Sequence, residues 1–80
     1  MGMPTLLRWS GYRFFFWSGY RAEPPHVHVK KGDAEAKIWL DPVRLHVAID
    51  FRSHEINGVV RKVHEQRDGF LRAWHDHFGN

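Results

Sequence analysis

Two histidines stand one residue apart in the string Glu23-Pro24-Pro25-His26-Val27-His28-Val29. Residues two apart on a β-strand project from the same face, so we expect the imidazoles of His26 and His28 side by side. Imidazole binds transition metals, and it exchanges protons near neutral pH because its ordinary pKa is about 6.5. The pair is therefore the first place in this sequence where chemistry is expected.

Four interpretations of the histidine pair stay open. A metal ion can take both imidazoles together with a third ligand, for which strand parity offers Glu35 or His46. The pair can serve as general base and general acid in metal-independent RNA cleavage, with Lys30 or Lys37 stabilising the charge at phosphorus. It can bind a phosphate or a carboxylate without catalysis. The structural alternative is a pair of solvated or hydrogen-bonded histidines on an exposed strand.

The residues around the pair predict an antiparallel sheet. Runs of alternating or aromatic residues, bounded by Gly, Pro and Asp turn signals, predict strands over 5–9, 12–17, 26–30, 34–40 and 44–50. In the last strand Leu45, Val47 and Ile49 are expected to face the core. The opposite face of the last three strands should then carry polar and basic side chains: His26, His28, Lys30, Glu35, Lys37, Trp39, Arg44 and His46.

A helix is predicted from residue 53 to about residue 78. Apolar residues recur at the helical spacing of three and four: Ile56, Val59, Val60, Val63, Phe70, Trp74 and Phe78. Ser53 is expected as the N-cap. Arg67 projects into the apolar stripe, so it must reach solvent, find a carboxylate or mark a bend near Gly69. The predicted class is α+β: a small antiparallel sheet of about four or five strands packed on one long or bent C-terminal helix.

Composition sets wider limits. The chain has 80 residues, enough for a single domain, which we expect to span residues 3–80. The sequence has no cysteine, which excludes a disulfide scaffold and any thiolate zinc site. No signal peptide or membrane-spanning run is predicted, so we expect a cytoplasmic protein. The net charge of +3 and pI of about 9.7 favour anionic partners.

The N-terminal part of the chain is rich in aromatic and basic residues. They occupy both faces of the predicted strands: Arg8, Trp9, Tyr12, Arg13, Phe14, Phe15, Phe16, Trp17, Tyr20 and Arg21. One face must pack in the core, and the surplus can form a protein interface or stack on bases beside the arginines. Core packing plus a partner interface is the favoured interpretation, and it also permits a homodimer.

Four strings carry a resemblance to a known family. They are Met3-Pro4-Thr5-Leu6-Leu7-Arg8, Gly11-Tyr12-Arg13-Phe14-Phe15-Phe16, the histidine string above, and Glu35-Ala36-Lys37-Ile38-Trp39-Leu40. With Trp74 and Phe78 near the C-terminus, they resemble the prokaryotic family catalogued as domain of unknown function 4160. Members of that family are often encoded beside another small protein, as toxin–antitoxin modules are. The resemblance implies a protein partner and a toxin role, and it names no catalytic residue.

These observations lead to one hypothesis and two alternatives. The hypothesis is a component of a toxin–antitoxin-like pair that acts through a small cognate protein and on RNA or DNA. The alternatives are a metal-independent ribonuclease using His26 and His28, and a non-enzymatic nucleic-acid-binding or regulatory module. No metal, cofactor or membrane is expected. The predicted binding residues are Arg13, Lys30, Lys37, Trp39, Arg44 and His46.

Overall fold

The computed structural model describes residues 5–17 and 22–79. Along the chain it has strands β1 (Thr5–Trp9), β2 (Tyr12–Phe15), β3 (His26–Lys31), β4 (Ala34–Leu40) and β5 (Val43–Ile49), followed by helix α1 (Ser53–Phe78). The strands pair antiparallel in the order β1-β2-β3-β4-β5, and α1 packs on one face of the sheet. The predicted α+β class is therefore confirmed, with five strands and one continuous helix. Residues 3–4, Tyr20 and Arg21, which the sequence predictions include, lie outside the described residues.

Tight turns set the register of two hairpins. Trp9 pairs with Tyr12, and the two residues between them, Ser10 and Gly11, have φ angles of 54° and 84°. Two successive positive φ angles define a type I′ turn, whose twist matches that of the flanking strands. The β3–β4 hairpin has Gly32, with φ of 58°, at the first of its two loop positions. These turns align β1 with β2 and β3 with β4.

The core lies between the sheet and α1. Phe14, Val27, Val29, Ile38 and Leu40 project from the three central strands and are fully or almost fully buried. They meet the apolar stripe of the helix, whose buried members are Val59, Val63, Phe70 and Trp74. All four belong to the predicted stripe, so the helical periodicity identified the packed face correctly.

The ends and the middle of α1 differ in detail from the prediction. The N-cap is Arg52, with extended backbone angles, and not Ser53; the carboxylate of Glu55 accepts a hydrogen bond of 3.1 Å from the Arg52 backbone N–H. No bend forms at Arg67. Its Nε donates to the carbonyl oxygen of Leu40 at 3.0 Å and its Nη2 to Oδ1 of Asp41 at 2.7 Å. Arg67 therefore pairs with a carboxylate, which was one of the three predicted possibilities.

The side-chain orientation predicted for β5 holds for Arg44 and Leu45 but is wrong for the residues after the bulge, Val47, Ala48 and Ile49. Lys37 pairs with Val47 whereas the next residue of β4, Ile38, pairs with Leu45, so β5 contains one extra residue at this point. This β-bulge reverses the parity of the strand. Leu45 shares the helix face with Ile38, but Val47 and Ile49 lie on the opposite face. Leu45, Val47 and Ile49 are 39%, 43% and 55% exposed, so none of them belongs to the buried core.

Candidate binding surface on the open sheet face

The sheet face opposite α1, here called the open face, collects the residues predicted to bind or react. Strand pairing sets His28 beside Lys37 and His26 beside Trp39. Trp39 in turn pairs with Arg44 on β5, and Lys30 pairs with Arg13 on β2. Directly paired residues of antiparallel strands share a face. The predicted binding residues therefore come together on one surface, and His46 joins them with its ring 5.1 Å from that of Trp39.

Five rings form a continuous line across this face, which we call the ring row: Phe15, His28, His26, Trp39 and His46. The centroids of Phe15 and His28 are 5.7 Å apart and nearly parallel. His28 and His26 are 5.2 Å apart, and His26 and Trp39 are 5.5 Å apart, in edge-to-face arrangements. These separations are those of favourable aromatic contacts. The row joins β2, β3, β4 and β5 through side chains alone.

Burial changes along the ring row. Phe15, His28 and His26 are buried, with 2%, 6% and 0% of their surface exposed. Trp39 is partly exposed and His46 is exposed. His26 also contacts Trp74 of α1 at a ring distance of 5.1 Å, so its imidazole belongs to the edge of the core. The accessible end of the row is therefore the Trp39–His46 pair, whose rings meet edge to face. The histidine pair does not lie on an exposed strand, as its structural alternative assumed.

Burial determines the protonation of the two histidines. Loss of hydration lowers the pKa of His26, although Nδ1–H of its ring donates a hydrogen bond of 2.9 Å to the Pro24 carbonyl. Burial, with smaller contributions from His26 and Lys37, lowers the pKa of His28 to about 4. Both imidazoles are neutral at pH 7. A general acid must carry a proton to give, so these shifts count against an imidazolium acid here, and catalysis by the pair stays a prediction.

Cations flank the ring row. The Arg13 guanidinium lies 4.6 Å from the Phe15 ring centroid, and the Lys37 ammonium lies 4.7 Å from that of Trp39. Both distances allow cation–π attraction. Lys37 also forms an ion pair with Glu23, and this contact is the main cause of the lowered pKa of the Glu23 carboxyl. The open face thus combines ring faces with positive charge.

A pocket of about 130 Å³ opens beside the accessible end of the row. Its lining is formed by Pro24, Trp39, Asp41, Pro42 and Arg44. An indole and two proline rings supply flat apolar walls, and the guanidinium and the carboxylate supply one charge of each sign. This combination suits a planar heteroaromatic group attached to an anionic one.

Comparison with known proteins gives the family. Residues 11–75, which make up most of the chain, match the family described as a domain of unknown function (DUF4160). The chain belongs to the DUF4160 family. The resemblance predicted from the sequence strings is thereby confirmed, whereas the toxin–antitoxin association is a separate statement that this match does not carry. No curated protein and no solved structure matches the chain.

The metal interpretation gains no support from the geometry of this DUF4160 domain. Among residues 5–17 and 22–79, no group of three His, Asp or Glu side chains lies close enough to hold a metal ion. Glu35 pairs with Lys30 and not with either histidine, and His46 lies beyond Trp39. In the same part of the chain, no helix is long and apolar enough to cross a membrane.

Sequence reasoning missed part of the surface. Phe15 was assigned only to a general aromatic segment, and Pro24, Asp41 and Pro42 only to turns. The backbone N–H of Leu40 donates a hydrogen bond of 3.0 Å to the carbonyl oxygen of Pro25. This bond holds the Pro24–Pro25 segment beside the end of β4, where the turn with Asp41 and Pro42 begins. The one signal for the pocket in the sequence was that Trp39 and Asp41 lie two residues apart at the end of a predicted strand.

Proposed function

We propose that this DUF4160 chain is the RNA-binding component of a toxin–antitoxin-like pair of small proteins, acting in the cytoplasm. The observation that carries the RNA part is the edge-to-face contact between partly exposed Trp39 and exposed His46, beside Arg44 and the pocket. Single-stranded RNA is recognised by stacking its bases on aromatic rings and by binding its phosphates with Lys and Arg. The open face carries aromatic rings and basic side chains close to one another.

Charge on the open face supports phosphate binding. Five cations of the described strands lie on it, Arg8, Arg13, Lys30, Lys37 and Arg44, against the carboxylates of Glu23, Glu35 and, at the pocket, Asp41. Positive charge therefore exceeds negative charge on the open face, in a chain whose net charge is +3. A flexible single strand can follow such a face, since each phosphate needs only one nearby cation. The paired-protein part of the proposal has a different support, the family resemblance.

Binding of a fluorescein-labelled RNA of about twelve nucleotides, followed by fluorescence anisotropy, tests the RNA part. Trp39→Leu removes the stacking ring and is expected to weaken binding about tenfold, because a stacked base contributes roughly 1–3 kcal/mol. Arg44→Gln should weaken binding a few-fold and lower the salt slope by about one unit. Arg72→Gln, an exposed cation on α1, is the matched control and should change neither quantity.

Two results would contradict this function. If the RNA affinity is unchanged in both Trp39→Leu and Arg44→Gln, RNA binds elsewhere on the chain. If the chain binds no RNA at low salt, the RNA-binding function is wrong. The ribonuclease alternative is followed on the same RNA by denaturing gel. It requires cleavage without metal that is lost in His26→Gln and His28→Gln while the thermal stability of both variants is retained.

A further inference from the structure

The last strand of the sheet has a free outer side. Among the described residues, β5 pairs with β4 and with no other strand. An edge strand of seven residues presents a row of backbone N–H and C=O groups that another chain can pair with. Natural edges are usually protected by prolines, charges or short length. β5 carries one such charge, Arg44, and a bulge, but it also exposes the aliphatic side chains of Leu45, Val47 and Ile49.

We infer that β5 is the docking site for an extended, acidic segment of a second protein, which adds a sixth strand to the sheet. Strand addition of this kind obtains affinity from backbone hydrogen bonds and specificity from the flanking side chains. The inference goes beyond RNA binding, and it rests on the paired-protein part of the proposed function only for the identity of the second protein.

The apolar residues explain why a protein segment fits. Val47 and Ile49 project from the open face and Leu45 from the helix face, so β5 offers aliphatic surface on both sides of its edge. A neighbouring strand places its own side chains about 5 Å from these positions and removes apolar surface from water. RNA gains little from aliphatic side chains, because its bases stack on rings and its phosphates need cations.

Charge selects an acidic segment over a second copy of this chain. β5 itself carries two exposed basic side chains, Arg44 and His46, and no carboxylate. The nearby carboxylates are Glu35, opposite Ile49, and Asp41 and Asp50 just outside the two ends of the strand. Two copies paired through β5 would bring like charges together, and the net charge of +3 adds to the repulsion.

Two synthetic peptides of about nine residues test the site with the full chain. One alternates glutamate with valine, and the other replaces each glutamate by lysine. NMR amide shifts of the isotope-labelled protein report binding and its location. The glutamate peptide is expected to shift amides of Val43–Ile49 in a saturable manner, and the lysine peptide is expected to leave them unchanged.

Variants at exposed positions keep the fold while they change the edge. Val47→Glu with Ile49→Glu is expected to weaken the glutamate peptide at least tenfold, because it removes aliphatic surface and adds like charge. Val47→Thr with Ile49→Thr preserves strand propensity and should weaken the peptide a few-fold while RNA binding is retained. Asn57→Glu with His64→Glu adds the same charge on the exposed face of α1 and should leave the peptide affinity unchanged.

Three outcomes overturn the inference. They are equal binding of both peptides, glutamate-peptide shifts that map away from β5, and dimerisation of the chain in sedimentation equilibrium that disappears in Val47→Glu with Ile49→Glu. The last would assign the edge to a second copy. If the peptide fails and RNA still binds, only the docking site is wrong. If the peptide binds at β5 and RNA does not bind, the RNA function is wrong and the docking site stands.

Discussion

The rings of His26 and His28 lie 5.2 Å apart, edge to face, and both side chains are buried. One ring contacts Trp74 from the helix and the other stacks on Phe15 from the neighbouring strand. The pair is therefore a packed bridge between the core and the open face. The accessible end of the ring row, at Trp39 and His46, continues from this buried end.

The buried histidines predict acid sensitivity. Because the pKa of His28 is about 4 in the folded chain, against about 6.5 when exposed, the unfolded state binds more protons between these values. The free energy of unfolding should therefore fall by about 2 kcal/mol as the pH falls from 7 to 4.5. His26, whose pKa is also lowered, acts in the same direction.

Urea denaturation at several pH values measures this effect. His28→Phe keeps a ring against Phe15 and removes the titrating group, so its stability should depend less on pH. His64→Gln, at an exposed position, should behave like the unchanged chain. The carboxyls of Glu23 and Glu55 have lowered pKa values and act mainly below pH 4.5, outside this window. An unaltered pH dependence in His28→Phe would contradict the prediction.

Arg67 is predicted to stabilise the contact between α1 and the β4–β5 turn. It donates to the carbonyl of buried Leu40 and to Asp41. Arg67→Ala should cost about 1–2 kcal/mol in unfolding free energy, mostly through the carbonyl left without its donor, because exposed ion pairs contribute little. Arg72→Ala, exposed on the same helix, should stay within about 0.5 kcal/mol of the original chain. Equal losses in the two variants would show that the Leu40 contact is unimportant.

Two helical glycines offer stabilising substitutions. A Cβ added at Gly58 or Gly69 meets no atom within 4 Å. Gly58→Ala and Gly69→Ala should each raise the unfolding free energy by about 0.5–1 kcal/mol, because alanine loses less backbone entropy in a helix. Gly11→Ala is the opposing control: its φ is +84° and its Cβ would lie 3.2 Å from Cε of Lys31, so it should destabilise. Thermal unfolding separates these cases, and a lower melting temperature for Gly69→Ala would refute the argument.

The ion pair between Lys37 and Glu23 predicts a gain of function. The Glu23 carboxylate offsets positive charge on the open face. Glu23→Gln should therefore tighten RNA binding about two- to five-fold at low salt, and the gain should shrink as salt screens the face. Glu65→Gln, which removes the partner of Lys62 on α1, is the matched control and should leave RNA affinity unchanged. Weaker binding in Glu23→Gln would mean that the carboxylate positions Lys37 for RNA.

The two proposed surfaces meet at Arg44 and His46, so their ligands should compete. Carboxylates of a strand on β5 would lie beside cations that RNA phosphates need. Saturating glutamate–valine peptide is expected to reduce RNA affinity several-fold, and RNA should reduce peptide affinity by the same factor, as linkage requires. Anisotropy titrations with and without peptide measure this, with the lysine–valine peptide as control. Independent binding of RNA and peptide would separate the two surfaces.

Local patterns of the sequence predicted the packed face of the helix and much of the open face. The 3.6-residue period identified the buried stripe of α1, because a helix against a sheet must be apolar on that side. Alternation along β3 and β4 placed Lys37 and Trp39 beside the histidines on one face, because strand parity is a local property. The family strings led to the DUF4160 family, which residues 11–75 confirm.

Only the tertiary structure decided the properties that depend on several elements at once. The bulge in β5 turned Val47 and Ile49 away from the expected face, because one unpaired residue reverses parity and no local pattern marks its position. The burial of His26 and His28 follows from Trp74 and Phe15, which are distant in sequence. Their neutral state depends on that burial, since desolvation disfavours the charged imidazole. The sequence by itself determined which side chains of β3 and β4 share a face, because alternation along a strand is local. The tertiary structure decided the faces of β5 through its bulge and, by packing, which side chains are accessible to water.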